Sequence, residues 1–194
     1  MSDKNVPFIE RPFSIGINLV VFQASMETNI NEILSRLKAM LPKLNGNNLE
    51  NVKKGLAFYE GRGVQQDYAQ AAAWFTKAAE QGLAQAQSNL GLMYANGQGV
   101  PQDDAQAVAW YQKAAEQGFA QAQSNLGEMY YFGHGVKKND VKAYMWTYLA
   151  ASQGLEEAIK FLASLVKVLT PSQIQEAERL TRKWLAAHPQ ARGE

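Results

Sequence analysis

One short pattern occurs three times in this chain at a fixed spacing. Gly-x-Gly-Val begins at Gly61, Gly97 and Gly133, so the step between copies is 36 residues. The same step relates three tryptophans and three further glycines: Trp74, Trp110 and Trp146, and Gly82, Gly118 and Gly154. A period of this length is typical of stacked supersecondary units, each too small to bury a core alone. The sequence therefore predicts a repeat protein rather than a single globular core.

Composition narrows the function classes. The chain has 194 residues, a formal net charge of +1 and no cysteine. A near-neutral chain lacks the basic field that nucleic-acid binding requires, so we expect no nucleic-acid partner. Without cysteine there are no disulfides and no thiolate zinc sites. No apolar run reaches the roughly 18 residues of a membrane span. A cytoplasmic location is favoured, with a periplasmic or secreted one left open.

Residues 1–27 are predicted to form an N-terminal arm. Within the arm, apolar residues alternate with polar ones over residues 13–22, which is typical of a short strand. A lone strand is an unpaired edge that a second copy of the chain could complete, giving a homo-oligomer. The alternative is an apolar arm that lies on the helices. Asp3 and Glu10 stand where a secretion signal would be basic, so a plain N-terminal segment is favoured.

Residues 28–46 are predicted to form one amphipathic helix. Its apolar positions follow helical spacing and comprise Ile30, Ile33, Leu34, Leu37, Met40, Leu41 and Leu44. Asn45-Gly46 ends the segment. A solenoid needs a cover at its open end, so we expect this helix to be an N-terminal cap on the first repeat.

Residues 47–168 are predicted to hold the repeats, over 47–82, 83–118, 119–154 and a partial copy at 155–168. Each repeat has a first helix, a glycine-bearing loop and a second helix. In the middle copy, Gly91 lets the neighbouring helix approach closely, and Asp103 caps the second helix. The predicted buried positions are Ala86, Leu90, Met93 and Tyr94 in the first helix and Ala107, Trp110, Tyr111, Ala114 and Ala115 in the second.

Residues 169–194 are predicted to form a C-terminal capping helix and tail. Thr170, Pro171 and Gln173 supply an N-cap, a proline at the first helical position and a capping-box partner. The helix is expected to run to about Ala187, where His188-Pro189 stops it.

The repeated residues resemble the Sel1-like repeat, a relative of the tetratricopeptide repeat. They include Leu90-Gly91, Met93-Tyr94, Gly97-x-Gly99-Val100, Ala107, Trp110-Tyr111, Ala114-Ala115 and Gly118. The resemblance covers roughly residues 50–168, and the closing helix is similar to the cap of bacterial members. It implies an all-α fold, a right-handed superhelical solenoid of antiparallel helix pairs, and adaptor or scaffold work without catalysis. Two departures are Lys54, where the other copies have leucine, and the missing cysteine pairs of some secreted members.

Neither catalysis nor cofactor binding is predicted. The two histidines, His134 and His188, lie far apart in the sequence, so no metal site and no histidine-based catalytic set is expected. Paired acids such as Asp103-Asp104 and Glu156-Glu157 stand at helix starts, where they favour the helix dipole.

The resemblance implies that the first helix of each pair lines a concave groove, whose side chains are free to bind a partner. The predicted partner-binding residues are Leu56, Tyr59, Ser88, Asn89, Leu92, Asn96, Ser124, Asn125, Glu128, Tyr131 and Phe132. In peptide-binding tetratricopeptide relatives, an asparagine just before the Leu-Gly pair holds the ligand backbone. Asn89 and Asn125 match that place, although such an asparagine can equally cap or hydrate its helix.

Two further observations favour binding in this groove. Leu92 against Glu128 is one of only two changes within a duplicated run of residues, and exposed Tyr131 and Phe132 would add aromatic area of the kind found at hot spots. The sequence thus predicts a non-enzymatic adaptor that binds a protein or peptide in the groove. The alternative is a structural protein that self-assembles through residues 13–22.

Overall fold

The computed structural model describes residues 46–189, and this range contains eight α-helices and no strand. The helices are α1 (Gly46–Glu60), α2 (Tyr68–Glu80), α3 (Ala84–Asn96), α4 (Asp104–Glu116), α5 (Ala120–Phe132), α6 (Asp140–Ser152), α7 (Glu156–Val168) and α8 (Pro171–Ala187). The predicted arm at 1–27 with its strand, residues 28–45 of the helix predicted over 28–46, and the tail from residue 190 lie outside the described residues.

The helices form three antiparallel pairs, α1/α2, α3/α4 and α5/α6, and each second helix also packs on the first helix of the next pair. Three buried clusters run along the stack, one around Phe75 and Leu90, one around Tyr111 and Leu126, and one around Leu165 and Ala177. The predicted all-α, right-handed superhelical solenoid of antiparallel helix pairs is confirmed.

One glycine in each first helix sets the distance within a pair. Gly91 of α3 faces the Tyr111 ring of α4, and a Cβ atom at Gly91 would lie only 2.8 Å from that ring. Gly55 faces Phe75 in the same way in the pair before it. The predicted close approach at Gly91 is confirmed, and a larger side chain there would force the pair apart.

The glycine loops connect the two helices of each pair. Gly97 ends α3 in the left-handed region, and Gly99 follows at a φ of 70°. A Cβ atom at Gly99 would collide with the backbone of Tyr68 at the start of α2. Gly135 meets the backbone of Asp104 in the same way, one repeat later. The loop of each repeat therefore rests on the second helix of the preceding repeat, which only glycine permits.

Helix ends follow the sequence signals. The Asp103 side chain accepts a hydrogen bond from the backbone N–H of Gln106 at 3.0 Å, and Asp67 caps α2 in the same way. Thr170 and Gln173 form the complete capping box predicted for α8, which ends at Ala187 as expected.

Burial of the middle repeat follows the prediction with two exceptions, Tyr94 and Trp110, and Tyr94 of α3 is only half-buried. Ala107, Tyr111, Ala114 and Ala115 are buried. Trp110, expected on the same face, is only half-buried, and the Lys113 Nζ lies 3.9 Å from its ring centroid. Its indole thus forms part of the outer surface, covered by a cation.

Two glutamines that sequence patterning did not single out are buried within the stack. Gln87 of α3 donates to the carbonyl oxygen of Ala79 in α2 at 3.1 Å and accepts from Gln117, after α4, at 2.7 Å. Gln123 repeats both bonds one repeat later. Helices α3 and α5 are thereby each tied to the second helices on both sides, and the buried amides are satisfied.

The end of the stack departs from the repeat. The first three connections between paired helices span seven residues, as in Gly97–Asp103, whereas only Leu169 and Thr170 separate α7 from α8. α8 packs mainly on α6, not on α7. The Trp184 ring of α8 meets the Trp146 ring of α6 edge-on at 5.6 Å.

Candidate functional site: the groove of the first helices

The groove is the surface formed by the first helices α1, α3 and α5, and equivalent positions recur on it every 36 residues. Leu56, Leu92 and Glu128 share one position, and Tyr59, Ala95 and Tyr131 share another. A third position is held by Glu60, Asn96 and Phe132, and a fourth by Lys53, Asn89 and Asn125. Nine of the predicted partner-binding residues therefore belong to four rows that run along the stack.

A pocket of about 170 Å³ lies where α1 meets α3, and we refer to it as the α1–α3 pocket. It is lined by Leu56, Tyr59, Glu60, Phe75, Asn89 and Leu92, four of which are predicted partner-binding residues. Tyr59 is held in place, because its hydroxyl donates to the Oε1 atom of Gln98 at 3.1 Å. Its ring also packs edge-on against Tyr68 at 5.4 Å. One wall of the pocket is thus fixed before any ligand arrives.

The Asn89 side chain contributes an unpaired donor to this pocket. Its Nδ2 atom is buried and has no hydrogen-bond partner among the described residues. The reason is visible one repeat later, where the equivalent Asn125 side chain hydrogen-bonds to the Tyr111 hydroxyl. Phe75 stands in the place of Tyr111 and has no hydroxyl. A buried donor without a partner costs about 1–3 kcal/mol, which a bound acceptor could recover.

The next part of the groove lies between α3 and α5. Its side chains are polar and hydrogen-bond to one another. Besides its bond to Tyr111, Asn125 accepts from the Nε2 atom of Gln121 at 3.3 Å. Burial raises the pKa of the Tyr111 hydroxyl well above its usual value, an effect that the Asn125 bond opposes and the nearby Glu128 carboxylate reinforces. That hydroxyl stays protonated and acts as a hydrogen-bonding group only.

Glu128 introduces a negative charge into the same step. Its side chain is exposed by surface area, yet neighbouring groups displace part of its hydration, and this desolvation raises the pKa of its carboxyl. No cation of residues 47–189 forms a salt bridge with it. The carboxylate is available to a cationic group of a partner.

The far end of the groove is aromatic. Tyr131 packs edge-on against Phe132 at 5.0 Å and against Phe161 of α7 at 5.5 Å. Phe132 is 57% exposed, although it stacks on the His134 ring at 5.6 Å. This end therefore offers exposed apolar area, with Tyr131 held partly buried beneath it.

Two predicted partner-binding residues are not on this surface. Ser88 is 3% exposed and Ser124 is 1% exposed, so the expectation that they contact a partner is wrong. They share a row with Val52, which is 2% exposed and packs in the core. This row faces into the stack, where a small side chain fits between helices. Asn96 is exposed as expected, and its Nδ2 atom donates to Gln98 Oε1 at 3.4 Å.

Sequence reasoning missed Phe75 and Glu60 as pocket residues. Phe75 belongs to α2, a second helix, and its ring reaches the groove only because Gly55 leaves room beside it. Aligning the repeats could have revealed it, since the position of Phe75 is held by Tyr111 in the second repeat and by Thr147 in the third.

Within residues 46–189, no three histidine, aspartate or glutamate side chains gather closely enough to hold a metal ion. None of the helices in this range is both long enough and apolar enough to cross a membrane.

Comparison with known proteins agrees with this architecture. The Sel1 repeat matches residues 55–83, 84–119 and 120–155. No protein with a curated description matches the chain significantly. Among solved structures, c5321, a protective antigen of uropathogenic Escherichia coli with an SLR fold, is 36% identical with a TM-score of 0.69. That match covers 75% of this chain and 32% of the other, so this chain spans about a third of that relative.

Two smaller relatives have similar structures. A Sel1 repeat protein from Oxalobacter formigenes is 37% identical, with a TM-score of 0.56 over 67% of this chain and 98% of that chain. Helicobacter pylori cysteine rich protein B is 26% identical, with a TM-score of 0.52 over 64% and 92% of the two chains. Sel1 repeats are generally non-enzymatic scaffolds for protein–protein interactions. With three matched repeats over more than half of its length, the chain belongs to the Sel1 repeat family.

Proposed function

We propose that this protein is a non-enzymatic adaptor whose groove binds a peptide segment of a partner protein. The α1–α3 pocket receives one apolar side chain of the peptide, and the Asn89 amide donates to a neighbouring backbone carbonyl. The single observation that carries the proposal is the buried, unpaired Nδ2 atom of Asn89 in this pocket.

The pocket's chemistry favours a peptide over a small metabolite. About 170 Å³ is less than the roughly 300–1,000 Å³ typical of sites for drug-sized ligands. Apolar walls from Leu56, Phe75 and Leu92 stand beside one amide donor, which is the combination that an aliphatic side chain and its adjoining carbonyl would satisfy. The charge on Glu60 lies at the rim, where it is exposed to solvent.

The rest of the groove supports an extended ligand. From the α1–α3 pocket, the surface continues past Asn96 to the unpaired carboxylate of Glu128 and then to the exposed ring of Phe132. A peptide running along these rows would place a basic residue near Glu128 and an apolar residue against Phe132. The partner segment is therefore expected to combine apolar and basic residues.

Phe75→Tyr is the decisive variant. It gives the α1–α3 pocket the same hydroxyl that Tyr111 supplies between α3 and α5. The new hydroxyl should accept from Asn89, as Tyr111 accepts from Asn125, and should occupy part of the pocket. The fold should tolerate it, since Tyr111 already packs against Gly91 as Phe75 packs against Gly55. Tyr111→Phe is the matched control, as it makes the reciprocal change outside the pocket.

The probe is a phage-displayed library of random peptides, selected on the wild-type protein. We expect the enriched peptides to carry apolar and basic residues, and Phe75→Tyr to weaken their affinity by about ten-fold or more, or ~1.4 kcal/mol. Tyr111→Phe should change the affinity little. Failure to enrich any peptide, or equal binding by Phe75→Tyr and the wild type, would overturn the proposal.

Self-assembly through residues 13–22, the alternative function, concerns residues outside the described range. It stays a prediction.

A further inference from the structure

Gln98 lies between the two glycines of the loop that follows α3, and its side chain reaches Tyr59 of the α1–α3 pocket. Its Oε1 atom accepts from the Tyr59 hydroxyl at 3.1 Å and from the Nδ2 atom of Asn96 at 3.4 Å. Since both bonds end on the same oxygen, they fix the orientation of the amide. The Nε2 atom of Gln98 takes the other side of the amide, where it can donate to a different group.

This Nε2 atom of Gln98 donates to no acceptor among residues 46–189. Gln98 is only half-buried, so a ligand can reach the donor. The Nδ2 atom of Asn89, inside the pocket, is another donor without a partner in this range. Tyr59 links the two amides, because its ring lines the pocket and its hydroxyl bonds to Gln98. Two free amide donors therefore lie at the same part of the groove.

The next repeat does not reproduce this arrangement. Ala95 stands in the place of Tyr59 and has no hydroxyl to hold a loop side chain. His134 stands in the place of Gln98, and its ring stacks on Phe132 at 5.6 Å. The amide in the loop is thus a feature of the part of the groove that also contains the α1–α3 pocket.

Two donors of this kind require two acceptors on the ligand. The residues that line the pocket include one anion, Glu60, and no cation, so a neutral carbonyl suits the pocket better than a carboxylate. Backbone carbonyls of a peptide are such acceptors, but within an α-helix each already accepts from the N–H four residues later. In an extended segment the carbonyls are free. The two amides therefore favour an extended segment over a helical one.

We propose that Gln98 is a second backbone-binding residue of the groove, and that Asn89 and Gln98 together select a partner segment in an extended conformation. This inference rests on the proposed function, in which Asn89 binds one carbonyl and the pocket receives one apolar side chain. Gln98 binds a second carbonyl of the same segment. Tyr59 acts as a positioning residue, because its hydroxyl fixes the Gln98 amide before the ligand arrives.

The affinity of the peptides enriched on the wild-type protein is the first measurement. Gln98→Met keeps the length of the side chain but removes its amide, and it should weaken the affinity about five-fold. Gln102→Met, at an exposed site in the same loop, is the matched control and should leave the affinity unchanged. Tyr59→Phe keeps the ring that lines the pocket but frees the Gln98 amide, so it should weaken the affinity by less than Gln98→Met does. Adding Tyr59→Phe to Gln98→Met should have little further effect.

Backbone esters in the peptide separate a direct bond from a structural effect. An ester carbonyl is a weaker acceptor than an amide carbonyl, so each amide of an enriched peptide is replaced in turn by an ester. At one position the ester should lower the affinity for the wild type more than that for Gln98→Met, as a double-mutant cycle measures. At a second position the same dependence should appear with Asn89→Ala. The ester also removes an N–H group, but that loss affects all the proteins alike.

The outcomes distinguish this inference from the proposed function. If Gln98→Met binds the peptides as tightly as the wild type, or if no ester effect depends on Gln98, then Gln98 is not a backbone-binding residue, while the proposed function still depends on the Phe75→Tyr result. If helix-promoting α-aminoisobutyrate beside the apolar side chain strengthens binding, the bound segment is helical and the selection for an extended segment is wrong. If no peptide is enriched, both proposals fail.

Discussion

The Nε2 atom of Gln117 donates to the Oε1 atom of Gln87 at 2.7 Å, and Gln153 makes the same bond to Gln123 at 2.8 Å. Each of the two buried glutamines also donates to a carbonyl at the end of the preceding second helix, Ala79 or Ala115. A column of amides therefore links three consecutive second helices through the first helices between them. These bonds supply directional contacts in a core that is otherwise largely apolar.

Replacing one of these amides should destabilise the whole array. Gln123→Leu would leave the Ala115 carbonyl without this bond and remove the acceptor for Gln153. The expected loss is about 1–3 kcal/mol in the free energy of unfolding, measured by urea denaturation, because a buried polar group loses its partner. Gln112→Leu, on the exposed side of α4, should stay within about 0.5 kcal/mol of the wild type. Equal unfolding midpoints for the two variants would show that the amide column contributes nothing.

Gly91 and Ala163 occupy the same repeat position and should respond differently to exchange. Gly91→Ala adds a Cβ atom 2.8 Å from the Tyr111 ring, and this overpacking should cost about 1–3 kcal/mol. The cost should appear even though alanine favours an isolated helix by about 1 kcal/mol. Ala163→Gly, at an exposed position of α7, should lose only that helix-propensity difference. Thermal unfolding of both variants tests this, and a stabilised Gly91→Ala would mean that α3 and α4 move apart freely.

The repeat architecture was predictable because it depends on residues that recur in the sequence. Gly91, the Asp103 cap and the capping box at Thr170 each act through local geometry or a single close contact, and all three were correctly predicted. Ser88 and Ser124 were misassigned because serine has no strong preference for burial or exposure. Whether a serine is buried depends on how its row of equivalent positions packs in the stack. The Asn89 site needed a comparison between helices, since its donor is unpaired only because Phe75, in another helix, lacks a hydroxyl.

The path of α8 was the other feature that the sequence left open. Its capping box predicts where the helix begins, and His188-Pro189 predicts where it ends, yet neither indicates the helix on which it packs. That depends on the two-residue connection at Leu169 and on the contact between Trp146 and Trp184, which lie 38 residues apart in the sequence. The exposure of Ile159 and Val166 on α7 follows from the same geometry.

Glu128 should make stability depend on pH. Because desolvation raises the pKa of its carboxyl in the folded protein, the folded state binds a proton more readily than the unfolded state. Stability is therefore lost as pH rises from the unfolded value, about 4.3, through the higher folded value. Glu128→Gln removes this loss and should be more stable than the wild type at pH 7. The gain should stay below about 1 kcal/mol, because solvent screens this exposed side chain.

Urea unfolding at pH 7 and at a pH below the unfolded value checks the Glu128 prediction. The difference between Glu128→Gln and the wild type should be present at pH 7 and vanish at the lower pH. Glu80→Gln, at the exposed end of α2, controls for the removal of one negative charge. A difference that is the same at both pH values would contradict the prediction.

Trp184 should hold α8 on the stack, because its ring is the main aromatic contact between α8 and α6. It meets Trp146 edge-on at 5.6 Å, and on its other side it stacks with His188 at 4.3 Å. Trp184→Ala should cost about 2–4 kcal/mol, somewhat under the 3–5 kcal/mol of a fully buried tryptophan, since Trp184 is half-buried. The loss should be local: trypsin should cut at Arg179 and Lys183 in α8 sooner than in the wild type, while Lys113 in α4 stays protected.

Trp184→Phe keeps an aromatic ring in the contact and should restore most of the protection. If trypsin cuts the Trp184→Ala variant at Lys113 as early as at Lys183, then α8 does not unfold separately. It would instead form one cooperative unit with the repeats.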